Sequence, residues 1–316
     1  MEEIYLSKMS LREKIGQLLI IKPRGLNEKY LKELKVGGIF LNNLKTKFDY
    51  ANTIAFYQQN SKIKLFVVTD MEGYWNPFKF FEAKSFGKIM DDQEAYDEGL
   101  EHGKILSELG FNMNFSPVVE VRNNVWPGRS FIGSEKEIQE KISAYIKGLH
   151  KYKILATAKH YPGGSLIKNP HLVKFKTEIL KQDLDFFDHA IKENIDAIMV
   201  GHPIVFGAID SKGIQASRSR EILESLRKKF EGLIITDAIS MVGLRASYIF
   251  DFHKIYADLV RAGNDIILDT HIDSGYSSIK RRIDELENQI RQGKLSEKII
   301  NDRVKRILEA KGYLVF

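Results

Sequence analysis

Lys159-His160-Tyr161-Pro162-Gly163-Gly164, with His171 seven residues further on, sets a cation, two imidazoles and two glycines directly behind the apolar run 154–158. An apolar run that ends in charge reads as a buried strand delivering polar groups to its mouth. Gly163-Gly164 opens backbone angles closed to other residues, so the next loop can fold back over what the strand presents. His171 rides on that loop behind Asn169 and the rigid Pro170. A second apolar run, 233–236, ends in Asp237. A carboxylate at such a junction commonly caps the following helix. It can also serve as a nucleophile when nearby cations and hydrogen bonds hold it ionised and aimed.

Asp70-Met71-Glu72-Gly73 follows the run 65–69. A carboxylate there can accept hydrogen bonds from paired hydroxyls, or it can cap its own loop. Arg129-Ser130-Phe131 lies just beyond Trp126-Pro127-Gly128. Its guanidinium can fork onto hydroxyls or a carboxylate, with a salt bridge to Glu120 or Asp70 as the structural reading. Trp75 and Trp126 are the only tryptophans. An indole face can stack on a sugar ring, although loop packing is its more ordinary use. His202, Asp269 and the pair Asn42-Asn43 also end apolar runs. His102 reads as a surface residue of a helix over 94–109, and His150 and His189 as uninvolved helical positions. Asp183, Asp185 and Asp188 read as a solvated helix face.

Bringing these groups to one place takes parallel strands that all end on the same face. Short apolar runs recur at 17–21, 38–41, 65–69, 112–119, 155–159, 197–200, 233–236 and 265–268. Amphipathic stretches lie between them. Residues 135–152 carry Ile138, Ile142, Tyr145, Ile146 and Leu149 at helical spacing, and 219–230 opens on a serine N-cap. The region 284–311 is a long charged helical tail with a break near Gly293-Lys294. Eight strands alternating with helices predict an α/β fold, a (β/α)8 TIM-barrel-like single domain over 1–316 with no second C-terminal domain. In such a barrel, chemistry gathers at the C-terminal ends of the strands.

Composition narrows the function. With no cysteine among 316 residues, disulfides, thiolate metal sites and cysteine nucleophiles are excluded. The net charge of +6 comes from basic residues scattered along helical segments without aromatic interleaving, so no nucleic-acid partner is expected. No His/Asp/Glu grouping has metal-ligand spacing and no Walker-type phosphate loop occurs, so neither metal nor other cofactor is expected. The acidic start Met1-Glu2-Glu3-Ile4 lacks a signal-peptide core, and no apolar stretch approaches the roughly 20 residues that span a membrane. The expectation is a cytoplasmic protein without a membrane partner.

Several motifs in the same order carry a resemblance. Leu11-Arg12-Glu13-Lys14-Ile15-Gly16-Gln17-Leu18, Val36-Gly37-Gly38-Ile39 and Leu109-Gly110-Phe111-Asn112-Met113-Asn114-Phe115-Ser116-Pro117-Val118 form its first half. Arg129-Ser130-Phe131, Lys159-His160-Tyr161-Pro162-Gly163 and Thr236-Asp237-Ala238-Ile239-Ser240-Met241 complete it. The chain resembles glycoside hydrolase family 3, specifically the single-domain β-N-acetylglucosaminidases, or β-hexosaminidases. The resemblance implies a barrel that removes terminal β-linked N-acetylglucosamine from a small carbohydrate or glycoconjugate, peptidoglycan fragments included, with retention of configuration. It puts Asp237 on the nucleophile and His171 on an unusual acid/base histidine. Asp70, Arg129, Lys159 and His160 fall on sugar-binding positions, and Asn169 and His202 are counted with them.

Three departures stand out. Position 169 is Asn where the family pairs its histidine with an aspartate, and the loop lacks a histidine usual between the glycines. The segment after Gly73 runs Tyr74-Trp75-Asn76-Pro77-Phe78 without the family's arginines. An Asn169 oxygen can orient the imidazole of His171 but cannot stabilise it as a cation, which weakens the acid. Three other readings follow: a relative with another sugar preference such as β-glucosidase, one with phosphate as acceptor (a phosphorylase), or a glycan-binding barrel without turnover.

Overall fold

A computed structural model describes residues 2–23, 27–248, 250–270 and 275–316. Its centre is a ring of eight strands: β1 (Leu19–Ile21), β2 (Gly38–Phe40), β3 (Phe66–Thr69), β4 (Met113–Asn114), β5 (Leu155–Tyr161), β6 (Ala197–Val200), β7 (Leu233–Thr236) and β8 (Ile267–Asp269). Each pairs in parallel with its neighbour, and β8 pairs with β1. The ring closes between β7 and β8 through a parallel bridge from Ile235 to Ile266, with Thr236 N–H donating to the Ile266 carbonyl at 2.9 Å. This is the (β/α)8 barrel expected from the spacing. Strands such as Leu233–Thr236 are buried throughout, as near-continuous apolar runs require when helices cover the outside of a barrel.

Several strands are shorter than their apolar runs, and two of them have a visible cause. Gln17 ends the helix Leu11–Gln17, so β1 begins only at Leu19. The run 112–119 yields the two-residue β4 because Pro117 has no N–H to give the ladder. Side chains take over there: Asn114 accepts from Met71 N–H and donates to the Met71 carbonyl, both at 2.9 Å.

The helices form where the sequence supplies caps. Ser134 and Glu137 make a capping box ahead of Glu135–Lys151, whose buried face is the predicted one. Asp92–Leu109 packs on that helix at unusually close range. A Cβ on Gly99 would lie 2.4 Å from the Tyr145 carbonyl oxygen, and one on Gly148 2.5 Å from that of Tyr96. This contact overturns the surface reading of His102. Its ring is fully buried, with Nδ1 2.7 Å from the Tyr145 hydroxyl and Nε2 2.9 Å from Glu98.

The solvated face assigned to Asp183 is also corrected. Asp183 is buried near the start of Lys181–Lys192, where it accepts from Arg122 Nε at 3.1 Å and from Leu180 N–H at 2.7 Å. Arg122 precedes the tryptophan loop, so this pair ties the segments after β4 and β5 together. The tail divides into Tyr276–Arg291 and Glu297–Ala310 on either side of Gly293, as expected. Among the described residues, no helix is long and apolar enough to cross a membrane.

Candidate active site

The C-terminal ends of β3, β5, β6 and β7 and the loop after β4 converge on a cavity of about 320 Å³, the size of a small-molecule site. Against it lies a charge cluster, of which Asp70, Arg129 and Lys159 line the cavity. Glu72, just past β3, is fully buried and receives Arg129 Nε at Oε2 and Nη2 at Oε1, each at 2.7 Å, while Lys159 near the end of β5 shares Oε1. Burial alone would raise the Glu72 carboxyl, but Arg129 and Lys159 outweigh it and hold it down to about 2. Lys159, itself buried, is raised against its own desolvation by Asp70 and Glu72. One carboxylate thus fixes two cations, and the partner of Arg129 is Glu72 rather than Glu120 or Asp70. Lys159 Nζ also donates to Asp70 Oδ1 at 2.7 Å, and Asp70, 37% exposed, faces the cavity beside it.

Lys159 and His160 both reach this cavity although they are neighbours in a strand, where alternate side chains normally part to opposite faces. The pairing of β5 with β6 shifts register between Lys159 and Tyr161, and such an irregularity re-aims side chains. The peptide bond between Lys159 and His160 is cis. Beyond it, Gly163 and Gly164 take φ values of 85° and 95°, the left-handed conformations the sequence anticipated. The loop then returns to the barrel mouth: Leu166 N–H donates to the Arg122 carbonyl at 2.8 Å and Asn124 N–H to that of Leu166 at 3.0 Å. Its next segment, Lys176–Ile179, pairs in parallel with Ile204–Gly207 from the loop after β6.

His171 sits exposed on a turn of this loop, lines the cavity, and packs edge-on to Trp126 with ring centroids 6.2 Å apart. Gly243 N–H donates to the Pro170 carbonyl at 3.1 Å, which ties the turn to the segment after β7. Asn169 differs from expectation. Its Oδ1 accepts the backbone N–H of His171 at 2.9 Å, an Asx turn, so the oxygen meant to orient the imidazole serves the backbone instead. Asn169 is not among the residues that line the cavity.

Asp237 leaves the end of β7 pointing into the cavity. The next helix, Val242–Arg245, starts well beyond it with Met241 at its N-cap position, so capping does not account for this carboxylate. Oδ1 accepts Ala238 N–H at 2.7 Å, and Oδ2 lies 3.9 Å from His160 Nε2. His160 Nδ1 is 3.2 Å from Glu120 Oε1, which completes a Glu120–His160–Asp237 line. Burial would raise the Asp237 carboxyl, yet His160, His202, the Ala238 N–H and His171 together lower it.

His202 supports this arrangement from behind. It is buried, with Nε2 3.1 Å from the Ala238 carbonyl and Nδ1 2.7 Å from Ser217 Oγ. Burial lowers its pKa despite Asp237, and those partners fit a neutral ring that donates from Nε2 and accepts at Nδ1. Sequence reading did not find Ser217, which lies in a short 3-10 turn, Ala216–Arg218, away from any strand end. Ser240 and Thr270, their hydroxyls 3.3 Å apart, also line the cavity and were findable as residues just past β7 and β8. Among the described residues, no group of three or more His, Asp or Glu side chains is placed to hold a metal ion.

The sequence profile of the Glycosyl hydrolase family 3 N terminal domain matches residues 10–310. A beta-N-acetylglucosaminidase/beta-glucosidase of Cellulomonas fimi is 24% identical over 343 aligned positions, which cover 98% of this chain and 58% of that one. A beta-hexosaminidase of Haemophilus influenzae is 26% identical over 272 positions, 79% of this chain and 76% of that one. The solved glycoside hydrolase family 3 beta-N-acetylglucosaminidase from Paenibacillus sp. str. FPU-7 superposes with a TM-score of 0.86 at 25% identity, covering 96% of this chain and 62% of that one. The chain therefore spans under two thirds of the length of the Cellulomonas and Paenibacillus proteins.

Proposed function

The chain belongs to glycosyl hydrolase family 3, and from that membership we propose that it is a glycosidase, a retaining β-N-acetylhexosaminidase that releases terminal β-linked N-acetylglucosamine. The observation that carries the reading is Asp237, a carboxylate lowered by its histidine neighbours and aimed into the cavity that also holds the Asp70–Lys159 pair. The Cellulomonas, Haemophilus and Paenibacillus relatives bear names of this activity, which supports the choice of sugar.

In the first step an Asp237 oxygen attacks the anomeric carbon. The C1–O bond to the leaving group breaks, a C1–O bond to Asp237 forms, and His171 gives its proton to the departing oxygen. In the second step His171 takes a proton from water, whose oxygen attacks C1 and frees Asp237. Asp70, Lys159 and His160 would hold ring hydroxyls, with Glu72, shared by Arg129 and Lys159, fixing the Lys159 ammonium. Retention needs the two catalytic groups on either side of the glycosidic bond, about 5–5.5 Å apart for carboxylate pairs. His171, on a loop rather than a strand, meets that need by closing onto bound substrate.

Turnover of an aryl β-N-acetylglucosaminide by the wild type and by Asp237→Ala tests this. The variant should fall by a factor of about 10³ or more. Equal rates in both, or no turnover of any aryl β-glycoside by the wild type, would sink the enzyme reading and leave a glycan-binding barrel. One observation favours a second reading. Asn169 leaves the surroundings of His171 without the family's carboxylate, and an incoming phosphate would meet less repulsion there. Adding phosphate to the same assay decides it, since phosphorolysis yields a sugar 1-phosphate in place of the free sugar.

A further inference from the structure

Four rings run as a continuous strip at the mouth of the cavity. Tyr74 meets Trp75 at 5.6 Å, Trp75 meets Trp126 at 6.3 Å, and Trp126 meets His171 at 6.2 Å, each contact edge to face. Both indoles line the cavity. They are held by the groups that build its charged floor: the Trp75 carbonyl accepts Glu72 N–H at 3.0 Å, and the Arg129 guanidinium lies 5.2 Å over the Trp126 ring. The backbone N–H of Trp126 further donates to Asn123 Oδ1 at 2.8 Å, which fixes the segment that carries the ring. Loop packing alone would bury such rings, yet Trp75 is 47% exposed. An anchored, half-exposed indole beside a polar site is a platform for a ligand face.

The position of the strip says which part of a substrate it meets. On the hexosaminidase reading, on which this inference rests, His171 hands its proton to the leaving-group oxygen. Trp126, packed against His171, and Trp75 beside it then meet the leaving group, while Asp70 and Lys159 meet the sugar that is transferred. Among the described residues, Arg129 is the one charged side chain stacked on the strip, and Glu72 neutralises it. We propose that Trp75 and Trp126 form a leaving-group subsite for a flat, apolar-faced aglycone, either an aryl group or the face of a second sugar ring.

Three non-hydrolysable S-glycosides of N-acetylglucosamine separate the possibilities: the methyl compound, the phenyl compound and an S-linked disaccharide. Calorimetric titration of the wild type should show the phenyl compound, the disaccharide or both binding roughly tenfold tighter than the methyl compound. Whichever gains the affinity identifies the source of the flat face. Trp75→Ala should erase the gap and leave methyl binding within about twofold, and Trp75→Phe should restore most of it. The chain holds only these two tryptophans, so indole fluorescence reports on the strip alone and should respond to the tight ligand but not to the methyl one. Equal affinities of the three compounds for the wild type, or a gap that survives Trp75→Ala, would overturn the subsite and leave the hexosaminidase reading intact. Binding of none of the three would remove that reading and the subsite with it.

Discussion

Asp237 stands where burial would push its carboxyl up, and the opposing effects, His160 foremost, bring it below the ordinary carboxylate value. The sign matters for catalysis. An attacking carboxylate must be ionised, so activity falls as pH drops through the carboxyl's folded value, and a lowered value carries activity further into acid. Removing the charge at His160 takes away the largest effect opposing burial. His160→Gln should therefore move the acidic limb of kcat/KM to higher pH, read with an aryl glycoside across the acid range. A limb that stays put would show that His160 does not govern Asp237. Glu120 Oε1, 3.2 Å from His160 Nδ1, holds the ring with its Nε2 toward Asp237. Residue types made Asp237, Lys159 and His160 legible in the sequence, because each ends an apolar run. They could not reveal that Asn169 turns its oxygen to its own loop, since that depends on backbone angles within one turn.

At the scale of elements, Glu72 joins three segments that no sequence spacing connects: the end of β3, the loop after β4 through Arg129, and β5 through Lys159. Glu72→Gln would leave two buried cations short of a counter-charge, a loss of about 3–5 kcal/mol. The thermal midpoint should fall by roughly 5–8 °C. The pH dependence follows from the lowered carboxyl. Its stabilisation is fully present above the unfolded value near 4.5 and is lost as pH falls toward the folded value of about 2. Wild type should thus lose more thermal stability than the variant between pH 5 and pH 3; parallel losses would show that the cluster does not contribute as described. Glu72 was visible in the sequence only as a neighbour of Asp70, because a hub is defined by partners that the fold brings in. His102 was misread for the same reason: its helix presents glycines to a second helix, and that contact decides which face is buried. The positions of the eight barrel strands were legible, but the pair Lys176–Ile179 and Ile204–Gly207 outside the barrel was not; in length, β1 fell short where Gln17 stayed helical, β4 where Pro117 broke the ladder, and β5 ran on to Tyr161.

Across the whole molecule, the ends of the barrel divide the work. The cavity, with its histidines and carboxylates, lies at the C-terminal ends of the strands, where parallel barrels place chemistry, and the opposite face should answer for stability. Lys311 tests that division. It follows the last helix and reaches under the barrel, where Nζ donates to Gln17 Oε1 at 2.7 Å and to the Gly37 carbonyl at 2.8 Å, 4.9 Å from the centre of the Phe66 ring. Burial pushes its amine down to about 7. Between that value and the unfolded value near 10.5 the unfolded chain binds more protons than the folded one, so this group makes stability rise with pH in that window. Below pH 7 the folded protein bears the full cost of a desolvated charge. Lys311→Met keeps the stem, removes the charge and gives up both hydrogen bonds, each contributing about 1 kcal/mol. The variant should therefore compare best with wild type in acid and worst in alkali. The difference in thermal midpoint, variant minus wild type, should be larger at pH 6 than at pH 10, with kcat/KM on an aryl glycoside changed less than about twofold because the site lies at the other end. A difference independent of pH would mean that Lys311 keeps its charge beneath the barrel, and a large loss of activity would mean that the two faces are coupled.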